Sequence, residues 1–455
     1  MLPMTLAEVA DVVDGAVHGD PAVVVSGPAY VDSRSPEPDG LFVAVVGERV
    51  DGHEYADGAH AVLGSRPTGA PTVVVADPVV ALGRLAAHVV RRLGATVLAL
   101  TGSQGKTGTK DYLAHVLAAA GPTVATAGSF NNELGLPLTV LRADGETEFL
   151  VLEMGARGIG HIAYLCEIAP PHIAAVLNVG TAHLGEFGSR EAIALAKGEI
   201  VEALPEHGVA VLNAGDELVL AMAARTRARV LRFGTPGDVE VRDVEVDDLS
   251  RPSFEIGHDG QWHPVRLRQS GRHQVDNALA AAAMATAAGV SLDLAAAALS
   301  GAEPASRMRM ELHERADGLL VVNDAYNANP DSMTAALDTL MVIGKRRGRR
   351  TVAVLGEMLE LGDSAHEGHV RVGRAARIRG IDTVVVVGAG AAPIAEGYGD
   401  EAIVTAGRDE ALAWVRENVA GSDVVLVKAS RGAALEAVAE GLLVDTLAEG
   451  GTSAP

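Results

Sequence analysis

Residues 101–107 read Thr-Gly-Ser-Gln-Gly-Lys-Thr and lie between the apolar run Ala95–Leu100 and Lys110–Leu117, which has helical apolar spacing. A glycine-rich turn in that place commits the chain to a strand–loop–helix unit, and so to an α/β sheet that is largely parallel. Gly102 and Gly105 let the backbone curl and point amide N–H groups inward, and the helix start adds the positive end of its dipole. Lys106 can then reach terminal phosphates, and the Thr107 hydroxyl can sit on Mg²⁺. Gly102, Ser103, Gln104, Gly105, Lys106, Thr107 and Gly108 are therefore the candidate phosphate site. Leu100 stands where the common pattern has its first glycine, so this is the compact form of the loop. The competing reading is an ordinary glycine-rich turn.

A chain of 455 residues is too long for one core and suggests about three domains. Aromatics are only 3%, so the core must be built from Val, Leu, Ile and Ala. The net charge of −22 is spread along the chain and opposes nonspecific nucleic-acid binding. It does not oppose an anionic nucleotide, which local amides and a few cations can hold. A single cysteine, Cys166, excludes an internal disulfide and fits a reducing compartment. The first residues have no basic stretch followed by a long apolar one, so no signal peptide is expected. The Ala-rich stretch 278–288 is too short to span a bilayer. These features predict a cytoplasmic protein without membrane insertion.

The first unit is predicted over residues 1–94, a small α/β unit with strands at 41–46 and 72–76 and a helix from Val79 to Leu93 stopped by Gly94. The second, 95–310, opens with the phosphate loop and has strand candidates at 149–152, 173–177 and 209–212. Residues 239–267 alternate and carry turn residues, which predicts a small antiparallel insertion, followed by a helix over 275–288. The third, 311–455, has apolar runs at 319–322, 351–355, 383–387 and 424–427 between helical segments, a doubly wound pattern. The polar tail from Glu449 to Pro455 is expected to be disordered.

Several polar groups follow these strands. Glu153 ends an apolar strand, where an acid facing phosphates typically holds Mg²⁺; a solvated loop acid is the alternative. His183 follows the strand at 173–177, and Lys197 lies on a predicted helix fourteen residues on. Alone, each reads equally as a satisfied loop histidine and a surface lysine. Asn131 and Asn132 are either ligand anchors or turn residues. Asn323–Pro330 suits polar ligand recognition, a capped start for a helix at Pro330, or both. Gly356–Met358 and Lys428–Arg431 follow strands on the same rim. Arg307, near the second boundary, either faces a phosphate across a cleft or is a surface arginine.

Taken together the motifs resemble the Mur ligase family of cell-wall enzymes over nearly the whole chain. Asp32-Ser33-Arg34 with residues 39–44 and 47–53 is similar to the family's uridine-nucleotide domain. The phosphate loop, Asn131–Thr139, the run from Ala182 to Glu199, and Tyr326–Met333 carry the rest. The Asp-Asn-Pro-Arg motif of diaminopimelate-adding relatives is missing. Two departures are Gln104, where the family usually has Asn, and Gly108, where it usually has Thr.

The resemblance implies three domains: a small N-terminal α/β uridine-nucleotide domain, a central P-loop ATPase-type domain with a mostly parallel sheet, and a C-terminal Rossmann-like domain. It implies an ATP- and Mg²⁺-dependent ligase acting as a monomer on UDP-N-acetylmuramoyl-tripeptide and D-alanyl-D-alanine through an acyl phosphate. By resemblance Lys106 binds the ATP phosphates, and Thr107 and Glu153 bind one Mg²⁺. His183 joins a second metal site, with Lys197 carbamylated beside it. Asn277 contacts adenine, Arg307 the γ-phosphate, and Asp324 and Asn327 the ribose region. Ser33 and Arg34 meet the uridine nucleotide; Asn131, Asn132, Asn329 and Lys428 are further substrate candidates. A folylpolyglutamate synthase-type ligase is the nearest rival, disfavoured by the Asp32-Ser33-Arg34 segment. A nucleotide-dependent switch is the rival from another class, and need not keep His183, Lys197 and the Asn-rich motif together.

Overall fold

The computed structural model describes residues 1–47, 49–180 and 184–444. The tail from Glu449 onward lies outside the described residues. Three α/β sheets organise them, as the resemblance implied. The first has five strands, in the order 16–18, 72–74, 61–64, 41–43, 29–30, all parallel except its first pair. The second has nine strands and the third six.

The nine-stranded sheet is parallel from strand 123–125 through 149–153, 96–101, 173–176 and 209–213 to 229–233. Residues 97–100 are all buried, which explains their unbroken apolar run, since helices cover both faces. The strands 239–246, 252–258 and 261–266 are antiparallel to one another, as expected. They are no separate insertion, however. Val239 pairs in parallel with Phe233, so the hairpins extend the edge of the central sheet. A local turn pattern reveals antiparallel pairing but not the partner on the far side.

The third sheet runs 311–314, 320–324, 424–428, 351–355, 383–387, 403–405, parallel except for the first pair. Register places Asp324 beside Lys428 and Lys428 beside Leu355, so three strands end on one rim. In the central sheet Glu153 pairs with Leu100 and Val176 with Thr101, so the loops after those strands share a rim as well.

Helix Pro78–Arg92 is started by Asp77, whose carboxylate accepts from the amides of Val79 and Val80. Leu93 is already extended, and Gly94 takes no left-handed φ, so the helix ends without the expected glycine cap. Its buried face, Leu82, Leu85, Ala86 and Val89, joins one hydrophobic core with helices Gly135–Val140 and His161–Ile168 of the central unit. Sheets one and two are thus separate, but they share a core. Truncating Leu82 there would cost about 2–5 kcal/mol.

Helix Gln274–Ala287 packs on helix Lys106–Ala118 through buried alanines, among them Ala278, Ala281, Ala282 and Ala285. Small side chains let the two backbones approach closely, and that brings Asn277 onto the phosphate loop. Among the described residues no helix is long and apolar enough to cross a membrane.

Candidate active site in the interdomain cleft

A cleft of about 730 Å³ opens where the rims of the second and third sheets face each other. The phosphate loop forms its floor. Gly105 has φ 78°, which a glycine adopts without strain, and helix Lys106–Ala118 starts there without a side-chain cap. First-turn amides have no intrahelical partner, so this helix start is left to receive an anion. The amides of Ser103 and Gln104 are not free for that purpose. Both donate to Asn178 Oδ1 at 3.0 Å, and Asn178 Nδ2 donates back to the Gln104 carbonyl at 3.1 Å. Asn178 therefore holds the curl from behind.

Asn277 approaches from the other side. A Cβ on Gly105 would lie 2.4 Å from Asn277 Oδ1, and one on Gly108 would lie 2.9 Å from Nδ2. Gly108 is thus matched to this close approach. Gly102 stands outside the cleft lining; its carbonyl accepts from Lys106 Nζ at 2.7 Å. Burial lowers the Lys106 pKa, the nearby Glu153 opposes that, and Arg309 adds to it.

Glu153 is buried and bridges two loops. Its Oε2 accepts from the Thr107 hydroxyl at 2.9 Å and its Oε1 from Asn131 Nδ2 at 2.7 Å. Among the described residues no group of three or more His, Cys, Asp or Glu forms a metal cage. The Thr107 and Glu153 oxygens are nevertheless the hard donors that Mg²⁺ takes when phosphate and water complete its shell. Asn132 lines the cleft, and its Oδ1 accepts from the Gly135 amide at 2.9 Å, so its side chain also serves the local turn.

Lys197, on helix Arg190–Glu202, is buried, lines the cleft and has no ion pair among the described residues. Burial pushes its pKa well down, and the Lys106 charge pushes it further. His183 lies outside the described residues.

The third sheet supplies the opposite wall. Lys428 Nζ donates to Asp324 Oδ2 at 2.6 Å and to the Asn327 carbonyl at 2.8 Å. Asp324 Oδ1 accepts from the Met310 amide at 3.1 Å, tying the rim to the segment that joins the two units. Asn329 caps helix Pro330–Arg347, its Oδ1 accepting from the Ser332 amide at 2.8 Å, while it also lines the cleft. The two walls touch through a hydrogen bond between the Ser129 and Tyr326 hydroxyls. His273, half-buried in the cleft lining, has its pKa lowered from 6.5 by desolvation; Asp324 opposes this and Lys428 adds to it.

Besides Gly102, three predicted residues are not brought into this cleft. Ser33 and Arg34 lie apart from it, Arg34 paired with Asp32 at 2.8 Å on the surface of the first unit, although Val31 reaches the cleft lining. The Arg307 side chain is 75% exposed and lies 3.5 Å from Glu440. The cation that does enter from this segment is Arg309, stacked 4.3 Å over the Tyr326 ring. Sequence reading missed Arg309, Asn178 and the Tyr326 contact. Asn178 had a signal, an amide directly after a strand beside the phosphate loop. Arg309 had none, because side-chain direction in an irregular segment is not periodic.

Comparison with known proteins follows the same outline. The Mur ligase middle domain model matches residues 100–285, and the model for the Mur ligase, glutamate ligase domain matches 308–431. UDP-N-acetylmuramoyl-tripeptide–D-alanyl-D-alanine ligase of Mycobacterium tuberculosis is 46% identical over 98% of both chains. The Escherichia coli protein of that name is 37% identical over 97% of this chain and 99% of its own. Among solved structures, MurF from Acinetobacter baumannii superposes with TM-score 0.86 at 34% identity, covering 97% of this chain and 99% of the other. MurF ligase from Thermotoga maritima in complex with ADP gives 0.79 at 31% identity, covering 92% and 97%.

Proposed function

The chain belongs to the Mur ligase family, and we propose on that premise that it joins D-alanyl-D-alanine to UDP-N-acetylmuramoyl-tripeptide in peptidoglycan synthesis, using ATP. The observation that carries the reading is identity of 46% along 98% of both chains with a ligase of that name. The geometry supports it, because a phosphate loop, a buried acid and a polar rim converge from two sheets on one cleft. The proposed division of labour follows the sheets: residues 1–94 for the uridine-nucleotide end, 95–310 for ATP, and 311–455 for closing over it.

In this reading the tripeptide's terminal carboxylate oxygen bonds to the γ-phosphorus. The β–γ bridging P–O bond breaks and its electron pair leaves with ADP. The free amine of D-alanyl-D-alanine then attacks the acyl carbon, the acyl C–O bond breaks, and phosphate departs with the proton that the nitrogen gives up. No protein nucleophile is needed. The chain positions the groups and neutralises charge, which suffices for phosphoryl transfer. Lys106 and the helix start hold the phosphates. Asn178 and Asn277 fix the loop that carries them, and Asn277 also faces the adenine end. Mg²⁺, held by Thr107 and Glu153, supplies charge neutralisation when bound. Lys197, its pKa pushed down by burial, would add CO₂ and release a proton to give an anionic carbamate, which with His183 would hold a second cation. Asp324 and Asn327 serve the ribose region; Lys428 holds them in place. Ser33 and Arg34 serve the uridine end. The protein acts as a cytoplasmic monomer.

A substrate panel tests this. Phosphate release is expected only when ATP, the UDP-linked tripeptide and D-alanyl-D-alanine are all present. Full turnover without the dipeptide would overturn coupled ligation.

A further inference from the structure

Three arginines line the cleft, Arg157, Arg309 and Arg431. Arg431 pairs with Glu436 at 2.9 Å, and Arg309 lies over the Tyr326 ring. Arg157 is exposed, and among the described residues its guanidinium has no ion pair, ring contact or hydrogen bond. Its place in the fold says what passes it. In the central sheet the strand 149–153 lies between 96–101, which leads into the phosphate loop, and 123–125. The segment after 123–125 leads into helix Gly135–Val140, which shares a core with helix Pro78–Arg92 of the first unit. The loop after 149–153, which carries Arg157, therefore stands between the phosphate loop and the first unit. Val31 of that unit, with Leu134 and Leu138, lines the cleft too.

The loop is held at both ends. The Gly155 amide donates to the Asn131 carbonyl at 2.8 Å. At the far end Glu199, buried on the helix that carries Lys197, accepts from the amides of Gly160 at 2.6 Å and Ala163 at 2.9 Å. Glu199 thereby fills the start of helix His161–Ile168, which is closed to a ligand anion. Inside the loop the Arg157 amide donates to His161 Nδ1 at 3.3 Å, and His161 Nε2 is left to donate to Glu133 at 3.1 Å. The backbone at Arg157 is thus braced while its guanidinium stays unpaired. Resting on the ligase reading above, we propose that Arg157 pairs with a carboxylate of the UDP-linked tripeptide other than the one that is phosphorylated. A substrate anchored at the first unit and reacting at the phosphate loop passes this loop on its way. The guanidinium fork matches a carboxylate with two parallel hydrogen bonds. The pair fixes the peptide's register, so that the terminal carboxylate alone reaches the γ-phosphate. His161 is its positioning residue.

Calorimetric titration with UDP-N-acetylmuramoylalanyl-D-glutamyl-2,6-diaminopimelate, with Mg²⁺ and a non-hydrolysable ATP analogue present, tests the assignment without relying on turnover. Two further forms each remove one carboxylate: lysine replaces diaminopimelate, or the free glutamyl carboxylate is amidated. The parent protein is expected to bind one of these two at least about 10-fold more weakly than the full acid, which names the carboxylate. Arg157→Ala is expected to weaken the full acid by about 10-fold or more and that deficient form by less than about 3-fold. UDP-N-acetylmuramate, which has the pyrophosphate but no peptide, is expected to change by less than about 3-fold. His161→Ala is expected to lower the preference for the full acid several-fold at unchanged affinity for the ATP analogue; an unchanged preference would remove its positioning role. Unchanged affinity for the ATP analogue reports an intact cleft; should Arg157→Ala lose it, the same titrations of Arg157→Gln decide. Equal binding of all three tripeptides by the parent, equal weakening of all three in Arg157→Ala, or an equal loss with UDP-N-acetylmuramate would overturn the proposal and leave the ligase reading in place. A parent protein that binds none of the UDP-linked forms would instead sink the ligase reading, and this assignment with it.

Discussion

The phosphate loop and the segment Ser306–Met310 each bring one cation to the same cleft, Lys106 and Arg309, and they do so by opposite means. The loop uses glycine where the backbone must turn left, at Gly105, and small residues where another helix must come close. Its shape is relaxed and written in residue type. The hinge makes its left-handed turns at two methionines, and depends on Asp324, Glu311 and the third core to hold them. A relaxed loop survives the loss of one neighbour, whereas a strained one takes its shape from its neighbours.

The comparison breaks first at the cations themselves. Lys106→Ala is expected to lower kcat/KM by about a thousandfold, the scale of losing one preorganised charge on a transferring phosphoryl group. Steady-state kinetics with all three substrates would measure it. A loss under tenfold would mean that the helix start alone carries the phosphates.

A smaller effect tests whether the loop's glycines are there for Asn277. Gly105→Ala meets both the left-handed φ and Asn277 Oδ1 at 2.4 Å, and is expected to cost about 2–4 kcal/mol of stability. Gly108→Ala, with only the contact at 2.9 Å, is expected to cost about 1–2 kcal/mol. In an Asn277→Ala background the Gly108→Ala cost is expected to shrink by at least about 0.5 kcal/mol. Denaturant unfolding of the four proteins gives the coupling; strict additivity would show that the approach is not what requires glycine.

The smallest effect sharpens the contrast from the hinge side. Met308→Gly removes a strained Cβ but adds unfolded-state freedom, so stability is expected to stay within about 1 kcal/mol of the parent. Calorimetric affinity for an ATP analogue is nonetheless expected to fall several-fold, because Arg309 is no longer aimed into the cleft. Retained affinity would mean that Tyr326 alone orients it.

Much of the fold was legible because buried parallel strands need long apolar runs. The runs at 149–152, 209–212, 351–355 and 383–387 all became strands, with the first two extended by one residue. The limits of reading are equally specific. Gly94 looked like a helix stop, but Leu93 had already left the helix. The stretch 239–267 read as a small antiparallel insertion, and its pairing is antiparallel, but a parallel pair also joins it to the central sheet. Asn132 and Asn329 looked like ligand groups, and both spend an oxygen on a local amide. In each case the local pattern was compatible with two outcomes, and backbone conformation or hydrogen-bond geometry, which residue type does not encode, chose between them.

By itself the sequence determined the three α/β units, the phosphate loop and the family resemblance. These depend on apolar periodicity, on glycines at fixed offsets and on short motifs, all of which are local in the chain. The tertiary structure decided which arginine enters the cleft, what holds the loop's amides, and how Glu153 joins Thr107 to Asn131. Those outcomes depend on side-chain direction and on contacts between residues far apart in sequence, which no local pattern encodes.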